Sequence, residues 1–225
     1  MKILKRFALP LTAALAVMLR CIFLNSRGIQ YDDAFSIFLS QQTLAQIITG
    51  TAADTMPPLY YFLLHFWMAV GNNLWYLRLL SVFLSLGGIV FLYLLVKVLW
   101  GKEAALAAAF LAAISPLQIY HAQDIRMYAL LQFFQLIFTW AFIKIWLSFP
   151  DHAPKYWIIL IVSGTLALYS HNLAGFILLA PFVFLIMQRS WRLLKYYCGA
   201  GLVMAVLFIP WALMLPGQFM KVQRA

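Results

Sequence analysis

Long apolar runs constrain the fold of this chain more than any other feature of its sequence. A membrane-spanning helix needs about 20 mostly apolar residues. Seven candidate runs are Phe7–Leu24, Leu77–Leu99, Ala104–Tyr120, Tyr128–Leu147, Tyr156–Ser170, Leu173–Met187 and Tyr197–Leu215. Only 10% of the 225 residues are charged, whereas a soluble domain carries roughly 25%. The sequence therefore predicts an all-α polytopic membrane protein with about seven transmembrane helices.

The net charge of +10 comes from basic residues spread over short loops between the apolar runs. This distribution indicates anchoring in a membrane and contact with anionic lipids, and it argues against nucleic-acid binding. Cys21 and Cys198 both fall in apolar runs, so we expect neither a disulfide framework nor a zinc site. No small-residue cleavage site follows the first run, so we interpret it as a retained span rather than a signal peptide.

The segment 59–71 decides the predicted orientation, because it is short, aromatic and ambiguous as a span. If it crosses the membrane, the basic residues divide without bias; if it lies at the outer interface, they obey the positive-inside rule. We therefore predict seven spans, with the N-terminus in the cytoplasm and the C-terminus outside. The basic residues placed inside are Lys2, Lys5, Arg6, Lys97, Lys102, Lys144, Lys155, Arg189, Arg192 and Lys195, and those placed outside are Arg27, Arg78, Arg126, Lys221 and Arg224.

This orientation makes residues 25–76 a long outer loop. We predict that it holds two interfacial helices, at about Ala34–Thr49 and Pro57–Val70. It also gathers ionisable residues at the outer face, namely Asp32, Asp33, Asp54, His121, Asp124, Arg126 and His171. Ionisable groups beside hydrocarbon are costly and are usually functional, so we predict a functional site at this face.

Five sequence pieces in a fixed order carry a family resemblance. They are Tyr31-Asp32-Asp33-Ala34-Phe35-Ser36, Asp54-Thr55-Met56-Pro57-Pro58-Leu59-Tyr60-Tyr61, Leu64-His65-Phe66-Trp67, Leu77-Arg78-Leu79-Leu80-Ser81, and Ser115 to Tyr120 leading into Ala122 to Leu130. Together they resemble glycosyltransferase family 39 of the GT-C fold, in its bacterial mannosyltransferase-like branch, over nearly the whole chain. Such enzymes are about twice as long, so we expect residues 1–225 to form one truncated, membrane-embedded glycosyltransferase domain.

The resemblance implies a reaction at the outer face of a membrane, which we expect to be the bacterial inner membrane. Such enzymes transfer a sugar from a polyprenyl-phosphate carrier to a lipid, glycan or protein acceptor. By position, Asp32 and Asp33 match the acidic pair that supplies the catalytic base, although the second member is usually Glu. Asp54 matches the acid before the proline pair, where Met56 replaces the usual His. We expect no required cofactor, and the scattered carboxylates give little support for a divalent cation.

Each candidate acid also has a purely structural interpretation. Asp32 and Asp33 could simply start a helix; otherwise Asp32 is the better candidate base, and Asp33, just before Ala34, is either a helix cap or a residue that orients the base. Asp54 could form a turn before the prolines as well as part of a site. Asp124 could cap the span that begins near Ile125.

Like the acids, the basic and histidine candidates each have a functional and a structural interpretation. Arg126 could clamp a lipid phosphate or simply reach the interface. Arg27 and Arg78 are weaker alternatives for that clamp. His65 could be a packing residue, and His121 and His171 could contribute hydrogen bonds to a substrate. The predicted substrate-binding residues are therefore Asp54, His65, His121, Asp124, Arg126 and His171.

Two other functions compete with glycosyl transfer. A transporter or flippase would place ionisable groups near the middle of the bilayer, whereas here only Arg20 interrupts a span. An inactive relative with a scaffolding role is the second alternative.

Overall fold

The computed structural model describes residues 2–54, 56–151 and 154–215, with the side chains of the first helix from residue 7 onward. Over these residues the chain is helical and contains no strand, which confirms the predicted all-α class. The helices are α1 (Lys2–Cys21), α2 (Tyr31–Ser40), α3 (Leu44–Asp54), α4 (Leu59–Met68), α5 (Leu74–Ile114), α6 (Pro116–Ala122), α7 (Tyr128–Ser148), α8 (Pro154–Ser170), α9 (Ala174–Met187) and α10 (Trp191–Ala212). Outside the described residues lie the side chains of Lys2, Lys5 and Arg6, together with Lys221 and Arg224.

Three helices among the described residues, α5, α7 and α10, are long and apolar enough to cross a membrane. Shorter apolar helices occupy Phe7–Cys21, Leu59–Met68 and Ala174–Met187. Each of the seven predicted runs overlaps helical residues; Leu77–Leu99 and the first part of Ala104–Tyr120 share α5, and the end of the latter run lies in α6. Because helix length and composition support only three crossings, the predicted count of seven is not confirmed and stays a prediction.

Helix α5 is a hairpin with two limbs, 74–100 and 102–114. The Arg20 guanidinium donates to Ser85 Oγ at 2.9 Å and to the carbonyl oxygens of Ala112 and Ala113, each at 3.1 Å. Ser85 and Ala112 would be about 40 Å apart along a continuous helix, so the chain must reverse between them. The reversal is at Gly101, whose φ of 84° is rarely adopted by residues with a Cβ.

The long helical segments run in alternating directions, which gives the bundle two distinct ends. At one end, Tyr128 at the start of α7 has its ring 6.3 Å from that of His171, just after α8. At the other end, the ring of Phe149, after α7, lies 6.0 Å from that of Tyr196 near the start of α10. We call the first the site end, because it carries Asp32, Asp33, Asp54 and Asp124. We call the second the basic end, because it carries Lys97, Lys102, Lys144, Lys155, Arg189, Arg192 and Lys195.

The second half of the chain packs around a buried apolar cluster contributed by helices α7 to α10. Phe138, Phe142 and Tyr197 belong to it and are almost completely buried. Gly164 on α8 permits close approach, because a Cβ there would collide with the side chains of Met204 and Phe138. This packing fixes α8 between α7 and α10, and it thereby fixes the turn after α8 that carries His171.

The segment 25–76, predicted as an outer loop, contains three short helices among its described residues instead of the two predicted. A single helix over Ala34–Thr49 is wrong, because α2 ends at Ser40 and α3 begins at Leu44. Thr43 stops the first helix and starts the second: its Oγ1 accepts from the Gln46 N–H at 3.4 Å, and Gln46 Oε1 accepts from the Thr43 N–H at 3.1 Å. This reciprocal pair is a capping box. The third helix, α4, lies within the predicted range Pro57–Val70.

Candidate active site

Arg126 lies at the site end, in the linker between α6 and α7, and it contacts Ser36, Tyr61 and Asp32. It is only 7% exposed. Its Nη1 donates to Ser36 Oγ and to the Tyr61 phenol oxygen, each at 3.5 Å, and its Nε lies 3.9 Å from Asp32 Oδ2. All three contacts are long, and Nε has no hydrogen-bond partner among the described residues. A buried guanidinium with spare donors can bind an anionic group.

Asp32 and Asp33 have different surroundings, because adjacent helical residues do not share a face. The Asp32 side chain is 57% exposed and lies beside Arg126. The Asp33 side chain is 1% exposed, and its Oδ1 accepts from the Ile125 N–H at 2.9 Å while its Oδ2 lies 3.6 Å from Arg78 Nη2. The Asp33 carboxylate is therefore occupied by contacts within the protein, whereas the Asp32 carboxylate is accessible to a substrate.

Arg78, one of the alternative phosphate ligands, is also committed to internal contacts. It is completely buried. Its guanidinium donates to the carbonyl oxygens of Leu24, Arg27 and Gly28 at 2.6, 2.8 and 3.0 Å. Together with Asp33, it ties the segment after α1 to the start of α5 and to α2. The structure therefore gives Arg78 an architectural role.

The structure excludes the capping interpretation that the sequence left open for Asp33 and for Asp124. Gln30 is the N-cap of α2, and Asp33 lies inside its first turn. Helix α7 begins four residues after Asp124, which lies in the linker before it. The physical reason is the same in both places: each carboxylate has a distant cationic partner, Arg78 for Asp33 and Arg27 for Asp124. These ion pairs place the carboxylates away from the local backbone N–H groups.

Asp124 is the centre of a second polar group, which also contains Arg27 and His121. Its Oδ1 lies 2.8 Å from Arg27 Nη1, and its Oδ2 lies 3.2 Å from His121 Nδ1. Arg27 also lies over the Tyr120 ring, 4.0 Å from its centroid. Burial raises the pKa of Asp124, although Arg27 and His121 oppose that shift. His121 and Asp124, three residues apart in the sequence, contact each other, and the main cationic partner of Asp124 is Arg27.

His171 joins the site through an aromatic column. The rings of His121 and Tyr128 are 4.7 Å apart, and those of Tyr128 and His171 are 6.3 Å apart. His171 Nδ1 accepts from the Leu173 N–H at 3.1 Å, so a neutral ring carries its proton on Nε2. Burial and then the charge of Arg126 lower the pKa of His171. His171 can therefore donate a hydrogen bond as a neutral group at neutral pH.

Asp54 lies at the end of α3, where its side chain is exposed. Partial burial raises its pKa, Arg126 opposes that shift, and Asp32 adds to it. The carboxylates of Asp32 and Asp54 therefore influence the same guanidinium. His65, by contrast, lies outside this group: its Nδ1 is 2.8 Å from the Ser40 carbonyl oxygen, so it donates there and ties α4 to the end of α2.

Sequence reasoning missed Ser36, Tyr61 and Tyr128 as members of the site. Ser36 lies four residues after Asp32, a spacing that places both on one helix face and could have identified it. Tyr61 is fully buried, and burial raises its pKa to about 12, so its phenol stays neutral. No local pattern distinguishes Tyr61 or Tyr128 from the many other aromatic residues of the chain.

A metal site receives no support from this geometry. Among the described residues, no three His, Cys, Asp or Glu side chains come close enough together to hold a metal ion. The prediction that no cofactor is required stays a prediction. What the site does offer is the exposed carboxylates of Asp32 and Asp54, the Arg126 guanidinium with spare donors, and neutral phenol and imidazole groups beside them.

Comparison with known proteins identifies a family whose sequences this chain matches. The sequence profile described as "Dolichyl-phosphate-mannose-protein mannosyltransferase" matches residues 55–214, which is more than half of the 225-residue chain. The "Putative mannosyltransferase YkcB" of Bacillus subtilis (strain 168) is 27% identical over 143 residues, covering 58% of this chain and 20% of that protein. The alignment thus spans only one fifth of that relative. No solved structure matches the chain significantly.

Proposed function

This chain belongs to the dolichyl-phosphate-mannose-protein mannosyltransferase family, and from that membership we propose that its site end transfers a sugar from a polyprenyl-phosphate donor. The family and the apolar helices make it a glycosyltransferase-like integral membrane protein. The predicted GT-C resemblance is thereby confirmed. The nature of the donor, the acceptor and the residue roles given below are the proposal.

The observation that carries the proposal is the contrast between Asp32 and Asp33. The profile match begins at residue 55, so the acidic pair has to be assigned from its contacts. Asp33 is buried against Ile125 and Arg78. Asp32 is exposed and next to Arg126. Only Asp32 of the pair can reach the proton of an acceptor hydroxyl, so it is the proposed general base.

The proposed step is a single displacement at the anomeric carbon of the sugar. The acceptor oxygen forms a bond to that carbon, the bond to the phosphate oxygen breaks, and polyprenyl phosphate leaves with the electron pair. Asp32 accepts the hydroxyl proton. Arg126 donates hydrogen bonds to the departing phosphate, where negative charge develops. Attack opposite the leaving group inverts the anomeric configuration.

Donor binding must separate Asp32 from Arg126. The reactants need space between the base and the phosphate ligand, as the separation of about 6.5–9.5 Å between the two carboxyl groups of inverting glycosidases illustrates, whereas Asp32 Oδ2 is only 3.9 Å from Arg126 Nε. The contact is too long for a strong hydrogen bond and the Asp32 side chain is largely exposed. A phosphate can therefore replace Asp32 beside Arg126, and this replacement would leave the carboxylate facing the acceptor.

The orientation belongs to the proposal as well. We place the site end outside and the basic end in the cytoplasm of a bacterial cell, in the inner membrane, by the positive-inside rule. The α5 hairpin supports seven crossings, because its two limbs begin and end on the same side of the bundle, beside Arg20. With that reversal, residues 25–73, the α6–α7 linker and the turn after α8 all lie at one end.

An assay with radiolabelled polyprenyl-phosphate mannose separates the competing functions. Sealed vesicles that contain the full-length protein receive donor in the leaflet facing the site end, and label transfer to endogenous acceptors is measured alongside donor movement between leaflets. The proposal predicts cleavage of the donor and labelled product. Movement of intact donor between leaflets would indicate a flippase, and intact, unmoved donor would favour the scaffolding alternative.

A further inference from the structure

A cavity of about 440 Å³ lies at the basic end, opposite the proposed active site. It is formed where the end of α7 meets the turn between α9 and α10. Its walls include Trp146, Phe149, Arg189, Ser190, Trp191 and Arg192. The volume is within the range of small-molecule sites, and the wall combines two guanidinium groups with aromatic rings.

The two arginines of this cavity differ from those at the site end in their electrostatic surroundings. At the site end, Arg27 and Arg78 each lie within 4 Å of an aspartate. Among the described residues, the basic end carries seven Lys and Arg residues but only two acidic residues, Glu103 and Asp151. The cavity thus lies in a region of positive potential that attracts anions.

Local structure holds both arginine side chains at the cavity. The Arg192 guanidinium lies over the Phe149 ring, 5.6 Å from its centroid. Arg189 has a φ of 52°, at the position where the Ser190 N–H donates back to the Leu185 carbonyl oxygen. Glycine is the usual residue at that position of a helix end. Arg189 adopts this left-handed backbone conformation less readily than glycine would. Its side chain, which glycine lacks, contributes a guanidinium to the cavity wall.

We propose that this cavity binds the phosphate-containing headgroup of an anionic phospholipid in the leaflet at the basic end. Guanidinium groups bind phosphate oxygens through paired hydrogen bonds. Trp146 and Trp191 supply the indole rings that favour the headgroup region. The inference stands independently of the sugar-transfer chemistry.

The surroundings of the cavity favour a lipid over a soluble phosphate. It lies at the ends of α7 and α10, two of the helices able to cross a membrane. Leu147 and Met187, next to the cavity in sequence, are 53% and 76% exposed, and Trp191 is 57% exposed. Acyl chains attached to a bound headgroup could contact these exposed apolar side chains. A free anion would make no use of them.

The test is native mass spectrometry of the full-length protein in detergent, titrated with phosphatidylglycerol, phosphatidylcholine or inorganic phosphate. The key variant is Arg189→Gln/Arg192→Gln. Its matched control is Lys97→Gln/Lys102→Gln, which removes the same charge from exposed positions of the basic end outside the cavity. Thermal unfolding verifies that both variants are folded, and Arg192→Lys with Arg189 intact tests whether charge alone is sufficient.

We expect the native protein to retain phosphatidylglycerol in preference to phosphatidylcholine. The arginine double variant should lower phosphatidylglycerol affinity at least about tenfold, since each basic residue contributes appreciably to anionic-lipid binding. The lysine double variant should lower it less than about threefold. Equal losses in the two variants, or no headgroup preference in the native protein, would overturn the proposal. Full competition by millimolar inorganic phosphate would identify a free-anion site instead.

Discussion

Replacing Asp33 should destabilise the protein far more than replacing its neighbour Asp32. Asp33→Ala leaves the buried Arg78 guanidinium without its carboxylate and the Ile125 N–H without its acceptor. Removing one partner of a buried ion pair typically costs about 3–5 kcal/mol, and the three carbonyl oxygens that remain on Arg78 place this case near the lower limit. We therefore expect a loss of about 3–4 kcal/mol in the free energy of unfolding.

The magnitude can be checked through two matched substitutions. Asp33→Asn keeps an oxygen for the Ile125 N–H and removes only the charge, so it should cost roughly half as much as alanine. Asp32→Ala removes an exposed carboxylate with one long contact, and it should change the free energy of unfolding by less than about 0.5 kcal/mol.

Thermal unfolding in detergent, followed by tryptophan fluorescence, measures these differences. For a chain of this size, about 1 kcal/mol corresponds to roughly 2–4 °C in Tm. Asp33→Ala should therefore unfold about 10 °C below the native protein, with Asp33→Asn between the two and Asp32→Ala close to native. If Asp33→Ala and Asp32→Ala unfold within about 2 °C of each other, the contacts of Asp33 with Arg78 and Ile125 do not stabilise the fold as we expect.

Three further predictions concern the site and its orientation. Arg126→Ala should weaken apparent donor affinity about ten- to a hundredfold while leaving the protein folded; unchanged affinity in a donor titration would show that Arg126 does not bind the phosphate. Because the pKa of His171 is lowered, the unfolded chain takes up its proton first as pH falls below about 6.5, so stability should fall from pH 7 to pH 5. His171→Asn, which keeps an acceptor for the Leu173 N–H, should reduce that fall in melting experiments, and an unchanged pH dependence would contradict the assignment. In a cysteine-free background, Lys102→Cys and Gln30→Cys should react with impermeant reagents from opposite sides of the membrane, and labelling from the same side would exclude the seven-span orientation.

The apolar runs predicted the helices well, because burial in lipid requires long segments with internally satisfied backbone groups. The sequence also predicted that the acids in residues 25–76 would lie on the same side of the bundle as Asp124 and Arg126. That inference depended on treating the segment 59–71 as interfacial. In the structure α4 packs against α2 and α5, and its interfacial position stays a prediction.

The roles within the acidic pair could not be assigned from the sequence. Asp33 is fixed by Arg78 and Ile125, which are 45 and 92 positions away along the chain, and local capping rules contain no information about either partner. The break between α2 and α3 is different, because Thr43 and Gln46 form a recognisable capping box. Its signal was present in the sequence but was outweighed by the continuous apolar pattern.

The most direct test of the central claim is the single-turnover rate of Asp32→Asn in full-length protein, with donor binding measured separately. The amide preserves the shape of the side chain but cannot accept the proton of the acceptor. We predict donor affinity within about threefold of native and a rate about 10²–10⁴ lower. A rate within about threefold of native, in protein shown to bind donor, would contradict the assignment of Asp32 as the base and would direct attention to Asp54.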